Sequence, residues 1–252
     1  MSADFAELDY QRTDLGELVL RRRRAQEVDG REIFEVKLND EYLMSSLFHE
    51  GEVALAKLGL AELAGEGWDV VVGGLGLGYT AAEALKHSQV SRLIVVEALA
   101  PVIGWHQRQL VPNGALLSDD PRCDYCHEDF FALARGDGFD PNAPGHTFDA
   151  ILLDIDHTPY ALLSPSHGDF YTEEGLMRLE RFLNPGGVFA LWSNEIPNKG
   201  FLSILGNVFD QVDGHVVEFA NPIQCRTATN GVYVAKSGEQ EKLPNKPLHS
   251  YR

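Results

Sequence analysis

The residues with the clearest chemical capacity lie in one stretch and at a few acidic positions after it. Trp68-Asp-Val-Val-Val-Gly-Gly-Leu-Gly-Leu-Gly-Tyr-Thr-Ala-Ala-Glu-Ala-Leu-Lys-His87 joins an apolar run to a turn carrying Gly74, Gly76 and Gly78, then to alanine-rich sequence with good helix propensity. Glycine has no Cβ, so such a turn bends sharply and lets a ligand approach the backbone. A helix starting there presents free N–H groups to an anion or to hydroxyl oxygens. Alone, G-x-G-x-G fits a nucleotide or nucleoside site and a plain tight turn about equally. The acids that follow tip the balance. Glu97 stands about 20 residues on, where a carboxylate accepts hydrogen bonds from ribose hydroxyls. Asp129 could accept from an adenine amino group or cap the next helix. Asp154, with Asp156 and His157 just after it, could bind an amine or take its proton as a general base; the plain alternative is a loop-capping aspartate.

These positions make sense only on a particular frame. Repeated β–α units run from Val70 onward: strands at 70–72, 92–97, 123–127, 150–154 and 188–192, and helices over 47–64, 79–87, 102–110, from 129, 173–183 and 200–209. Apolar strands alternating with helices imply a parallel sheet covered on both faces. Two last strands, 215–219 and 231–235, have no helix between them and suit the antiparallel end of a class I methyltransferase-type sheet. The fold class read here is therefore α/β, a Rossmann-like doubly wound sheet with a small N-terminal antiparallel β appendage. The appendage spans 1–46, with Asp29-Gly30 as a hairpin turn and little pattern before Gly16. The ligand-binding domain spans 47–236, and 237–252 reads as a polar tail. In such sheets ligands sit at the carboxyl ends of the strands, where Glu97 and Asp154 fall.

Composition narrows the partners. The net charge is −17, which repels phosphate backbones and makes nucleic acid an unsuitable partner, while cations such as amines are attracted. No apolar segment follows a basic N-terminus, and no run of about 18 apolar residues occurs, so a cytoplasmic protein is expected. Three cysteines do not suggest a disulfide framework. Cys123-Asp-Tyr-Cys126-His127 matches C-x-x-C-H, but haem attachment needs export and a structural zinc needs four ligands. These are read as sheet residues, with no metal expected. Arg21 to Arg24 is read as a solvated strand end pairing with surplus acids rather than an anion site.

Over about residues 15–195 the chain resembles the polyamine aminopropyltransferases, the spermidine synthases. Their motif G-G-G-D-G-G, ending in L-K-H, fits Gly74 to His87 without a gap. The resemblance puts the family's ribose acid on Glu97, its D-P-R on Asp120-Pro-Arg122, its adenine-contacting aspartate on Asp129 and its proton acceptor on Asp154. It implies S-adenosylmethionine or its decarboxylated form as co-substrate, a small cationic acceptor and a homodimer. The departures lie on the amine side. The loop aspartate that holds the aminopropyl amine falls on Leu77, D-S-S-D-P becomes Asp154-Ile-Asp-His-Thr158, and Phe48-His-Glu-Gly-Glu52 stands where a Y-Q-E belongs. Gly74, Gly76, Leu77, Gly78, Glu97 and Asp129 are thus the expected nucleoside contacts. Asp154 is the expected acceptor-binding or basic group, with Asp156, His157 and Tyr160 beside it. Leu77 and His157 slightly favour methyl transfer over aminopropyl transfer. A non-catalytic nucleoside-binding scaffold is the reading from a different class.

Overall fold

The computed structural model describes residues 4–239. It begins with a four-stranded antiparallel sheet in the order β1-β2-β3-β4, made of β1 (Phe5–Thr13), β2 (Gly16–Ala25), β3 (Arg31–Leu38) and β4 (Glu41–Ser45). The sequence gives no strand signal before Gly16, so β1 is an addition to the expected appendage. β1 is an outer strand paired only with β2, and its side chains are exposed or half-buried. Without a buried face there is no period-two apolar pattern to read. The arginine run lies on β2. Arg21 and Arg23 reach the buried Glu35 of β3 at 2.7 and 3.0 Å, and Arg22 reaches Glu32 at 3.5 Å. The run is cross-strand pairing, as expected.

The main sheet has seven strands: β5 (Trp68–Gly73), β6 (Val90–Val96), β7 (Cys123–Cys126), β8 (Phe148–Leu153), β9 (Leu183–Ser193), β10 (Gln211–Asn221) and β11 (Arg226–Lys236). Their order is β10-β11-β9-β8-β5-β6-β7. β5 to β9 pair in parallel, and β11 runs antiparallel to both β9 and β10. This is the doubly wound sheet with an antiparallel end that the element order implied. The intervening helices are α1 (Glu50–Ala61), α2 (Tyr79–Leu85), α3 (Ala100–Gln107), α4 (Gly114–Asp119), α5 (Phe130–Arg135), α6 (Glu173–Glu180) and α7 (Lys199–Gly206). Most element ends shift by a few residues from expectation, and two larger differences stand out. The six-residue α4 is too short to show a helical period, and α6 stops at Glu180 because Leu183 already pairs with Phe148 of β8.

Strand side chains alternate between the two faces. Val70, Val72, Leu93, Val95 and Leu152 pack on one side with Leu55, Leu60 and Trp105 of α1 and α3. Val71, Ile94, Val96, Ile151 and Leu153 pack on the other with Phe130, Phe131, Leu179 and Phe201 of α5 to α7. Leu18, Leu20 and Val36 of the small sheet join the first of these cores. A polar tie adds to this, since Asp9 of β1 accepts from Trp105 Nε1 at 2.6 Å and from Arg108 at 2.7 Å. The small sheet is therefore fixed over the carboxyl side of the large one. Among the described residues no helix is long and apolar enough to cross a membrane, and no group of metal-ligating side chains occurs. Of the expected tail, residues 240–252 lie outside the described residues.

Candidate active site

Three strand ends converge. Gly74 N–H donates to the Val96 carbonyl at 2.9 Å, Asp154 N–H to the Gly73 carbonyl at 2.8 Å, and Glu97 N–H to the Cys126 carbonyl at 3.0 Å. The glycine turn, Glu97 and Asp154 therefore start from one line across β5, β6 and β8. The turn needs glycine for two physical reasons. Gly74 has φ +93°, and a Cβ there would lie 2.1 Å from the Asp154 carbonyl oxygen. Gly78 has φ +84°, and a Cβ there would meet His106 and Leu117 at 2.7 Å.

Glu97 is tied into the turn. Its carboxylate accepts from Leu75 N–H at 3.0 Å and from Leu99 N–H at 2.8 Å. Burial raises its pKa, and these backbone bonds oppose the rise. Each oxygen has a second lone pair, so the loop contacts and a ribose contact are compatible. Asp129 performs the helix-capping role weighed in the sequence, accepting from Ala132 N–H at 3.0 Å with Oδ1. It also lines, with Glu97 and Gly74, a cavity of about 560 Å³ walled by Phe130, Phe131 and Ile155. The β1–β2 turn reaches this cavity through Thr13, Asp14 and Leu15, so the small sheet helps to enclose it.

Asp154 lies on the other side of the turn. It lines a small pocket of about 100 Å³ with Gly76, Leu77, Gly78, Tyr79, His157 and Glu52. Its Oδ2 accepts from Thr80 Oγ1 at 2.8 Å. Burial raises its pKa to about 6, against the pull of the Thr80 hydroxyl. Glu52, on the first turn of α1, is raised to about 8 by burial and then by the negative charge of Asp154. Among the described residues no lysine or arginine lines this pocket. Two carboxyl groups thus face a small space whose described lining has His157 as its one basic side chain, an arrangement that takes up cations and protons. Beyond it opens a cleft of about 570 Å³, which shares Glu52, His157 and Trp192 with the small pocket and adds Phe48, Phe219 and a polar rim.

The remaining expected residues separate. His157 borders both the small pocket and the outer cleft. Asp156 is buried and fully engaged: it accepts from Leu163 N–H at 2.6 Å, from Tyr171 Oη at 2.8 Å and pairs with His167 Nδ1 at 2.9 Å. It lines none of the three cavities and holds the loop after β8 in place. Tyr160 is 60% exposed, lines none of them either, and donates a long 3.5 Å bond to Asn198. Leu77 is buried in the pocket wall, and its carbonyl accepts from Asn113 Nδ2 at 2.9 Å. In the stretch that replaces Y-Q-E, Phe48 lines the outer cleft and His49 stacks on Tyr79, with ring centroids 4.2 Å apart.

Several participants carry no sequence signal. Glu52 appears in the sequence only as the last residue of the stretch that stands where Y-Q-E belongs, with no role attached to it. Thr80 and Asn113 bind the site through side-chain hydrogen bonds that no spacing rule encodes. His106 is fully buried, and its Nε2 lies 3.0 Å from the Gly76 carbonyl. Since a carbonyl only accepts, Nε2 carries the proton, and Nδ1 is left buried without a partner among the described residues. Burial lowers this imidazole to about 4, so it is neutral. The cysteines of the C-x-x-C-H stretch sit on β7 and are free thiols, and burial pushes Cys123 up to about 12.

No family model matches the chain. Among curated proteins it is 30% identical over 188 residues to polyamine aminopropyltransferase 2 of Pseudomonas aeruginosa, covering 68% of this chain and 46% of that one. It is 31% identical over 120 residues to the polyamine aminopropyltransferase of Pyrobaculum calidifontis, covering 48% and 39%. The chain thus spans under half the length of these curated relatives. Among solved structures, spermidine synthase in complex with the transition-state analogue AdoDATO superposes with a TM-score of 0.70 at 19% identity, over 93% of this chain and 74% of that one. The Thermotoga maritima spermidine synthase gives a TM-score of 0.69 at 19% identity, over the same shares. Both structural likenesses concern the fold. None of these names speaks for the methyl transfer that Leu77 and His157 had favoured. The sequence relatives and the fold together place the chain in the spermidine synthase-like family, on the class I methyltransferase-like fold.

Proposed function

We propose that this protein transfers an aminopropyl group from decarboxylated S-adenosylmethionine to a small amine and releases methylthioadenosine. The observation that carries this reading is Asp154: a carboxyl group at the end of β8, beside the glycine turn, raised to about 6 by burial in a pocket without lysine or arginine. In the proposal the nucleoside occupies the larger enclosed cavity, with its ribose on Glu97 and its adenine toward Asp129. The sulfonium lies at Gly76 and Gly78, and the acceptor enters from the outer cleft past His157. The acceptor nitrogen attacks the methylene bonded to sulfur. A C–N bond forms, the C–S bond breaks with its electron pair going to sulfur, and the amine proton passes to Asp154. The protein's own contribution is alignment of nitrogen, carbon and sulfur and removal of that proton.

The same pocket disfavours unmodified S-adenosylmethionine. Its carboxylate would face Glu52 and Asp154 with no lysine or arginine among the described lining residues to receive it. Calorimetric titration with S-adenosylmethionine, its decarboxylated form and methylthioadenosine tests the reading. The decarboxylated form should bind tightest, and with putrescine present it should be consumed. Tighter binding of S-adenosylmethionine, with methylated product, would sink aminopropyl transfer. The family resemblance also supports a cytoplasmic homodimer. Sedimentation at a monomer mass of 27.9 kDa would remove the dimer from the proposal.

A further inference from the structure

We propose that Glu52 is the carboxylate that grips the primary ammonium of the donor's alkyl tail, the task for which the glycine turn offers only Leu77. The assignment rests on the nucleoside-donor reading above and adds a residue to it. Glu52 reaches the site from outside the glycine turn, on the first turn of α1. One hydroxyl ties its helix to the strand end opposite: Thr80 Oγ1 lies 3.4 Å from the Glu52 carbonyl and 2.8 Å from Asp154 Oδ2. Glu52 and Asp154 line the same pocket of about 100 Å³, a volume that suits a short chain of a few heavy atoms and excludes a nucleoside.

The walls specify the kind of chain. Leu43, Leu75, Leu77 and Ile155 give apolar surface for methylenes, and Trp192 adds an aromatic one. Among the described residues Glu52 forms no ion pair, although Glu35, Glu83, Asp140 and Asp120 each have a basic partner. Two carboxyl groups held together away from water are costly unless one is protonated or a cation enters between them. A primary ammonium at the end of an aliphatic chain satisfies both walls and charge. A methyl donor has the same methylenes and an ammonium, but its added carboxylate would bring a negative charge against both acids. Glu52 also borders the outer cleft, so its removal would be felt first by ligands that carry an ammonium and little by a nucleoside that lacks one.

The test compares two nucleosides on two proteins. Decarboxylated S-adenosylmethionine and methylthioadenosine share the adenosine and differ by the charged aminopropyl tail. By calorimetry at pH 8, the parent should prefer the decarboxylated donor by tenfold or more. In Glu52→Gln the preference should fall below threefold, with methylthioadenosine affinity unchanged as proof that the site is folded. A Glu52→Gln protein that keeps the full preference overturns the assignment, and so does a parent with no preference. Failure of the parent to bind either nucleoside would remove the donor reading itself, and this assignment with it. Glu52→Asp, which keeps the charge and shortens the reach, should retain more of the preference than Glu52→Gln; equal loss in both variants would also count against a charge-based role.

Discussion

Replacing His106 with glutamine should make the protein markedly more resistant to acid. In the parent, His106 is fully buried with Nε2 donating to the Gly76 carbonyl and Nδ1 unpartnered, and burial lowers its pKa from 6.5 to about 4. The fold therefore prefers the neutral ring. Its contribution to stability is complete above 6.5 and is lost as the pH falls toward 4, because the unfolded chain takes up the proton first. With 1.36 kcal/mol per pKa unit, the loss between pH 7.5 and pH 4.5 is about 2.5 kcal/mol from this group alone. For a chain of this length that corresponds to a fall of roughly 5–10 °C in Tm. Glutamine can place its amide N–H near the Nε2 position and hold the Gly76 carbonyl, yet it does not titrate. Urea unfolding of parent and His106→Gln at both pH values reads the effect as a difference of differences, in which every other titrating group cancels. The variant should lose less stability on acidification, by that amount. Equal acid losses would refute a buried neutral His106, and a variant that loses nucleoside binding at pH 7.5 would show that glutamine does not hold the turn.

Four further outcomes follow from the site. Glu97→Ala removes the acceptor for Leu75 and Leu99 N–H as well as the proposed ribose contact, so methylthioadenosine binding measured by calorimetry should fall by at least a hundredfold, and unchanged binding would reject the ribose assignment. Asp154→Asn should spare that binding and lower turnover by about 10²–10⁴-fold; it should also raise Tm at pH 8, because it removes one of two carboxyl groups that repel each other. Turnover in the parent should rise with pH through about 6 as Asp154 loses its proton, and a pH-rate profile falling over that range would contradict its role as base. Gly74→Ala should cost several kcal/mol or prevent folding, since its Cβ would lie 2.1 Å from a backbone oxygen at φ +93°; a thermal melt within a degree of the parent would refute the close approach.

The sheet was legible because its strands are apolar on both faces and its helices are separated by glycine and proline punctuation. The strand ends then followed, and with them the lines on which Gly74, Glu97 and Asp154 sit. What the sequence concealed shares a physical cause. β1 is an outer strand with no buried face, so it carries no period-two signal. Asp156 was grouped with Asp154 on spacing, but the chain turns after β8, and Asp156 points into a network with His167 and Tyr171. Tyr160 was grouped on spacing too and lies on the surface. The places of Glu52 and His106 in the site were hidden for the opposite reason. They approach the glycine turn from α1 and α3, and only the packing of those helices on the sheet brings them there. Leu77 marked the amine half of the site as altered, which is visible in sequence. That Glu52 shares the pocket of Leu77 is visible only in three dimensions.

The nucleoside product reports directly which group leaves the sulfonium. The purified protein is given S-adenosylmethionine and its decarboxylated form at equal concentration with putrescine, and the nucleosides are identified by mass spectrometry. Aminopropyl transfer with Asp154 as base yields methylthioadenosine, in equal amount to an aminopropylated amine, with the accumulation abolished in Asp154→Asn. S-adenosylhomocysteine with a methylated amine, or methylthioadenosine formed equally well by Asp154→Asn, would contradict it.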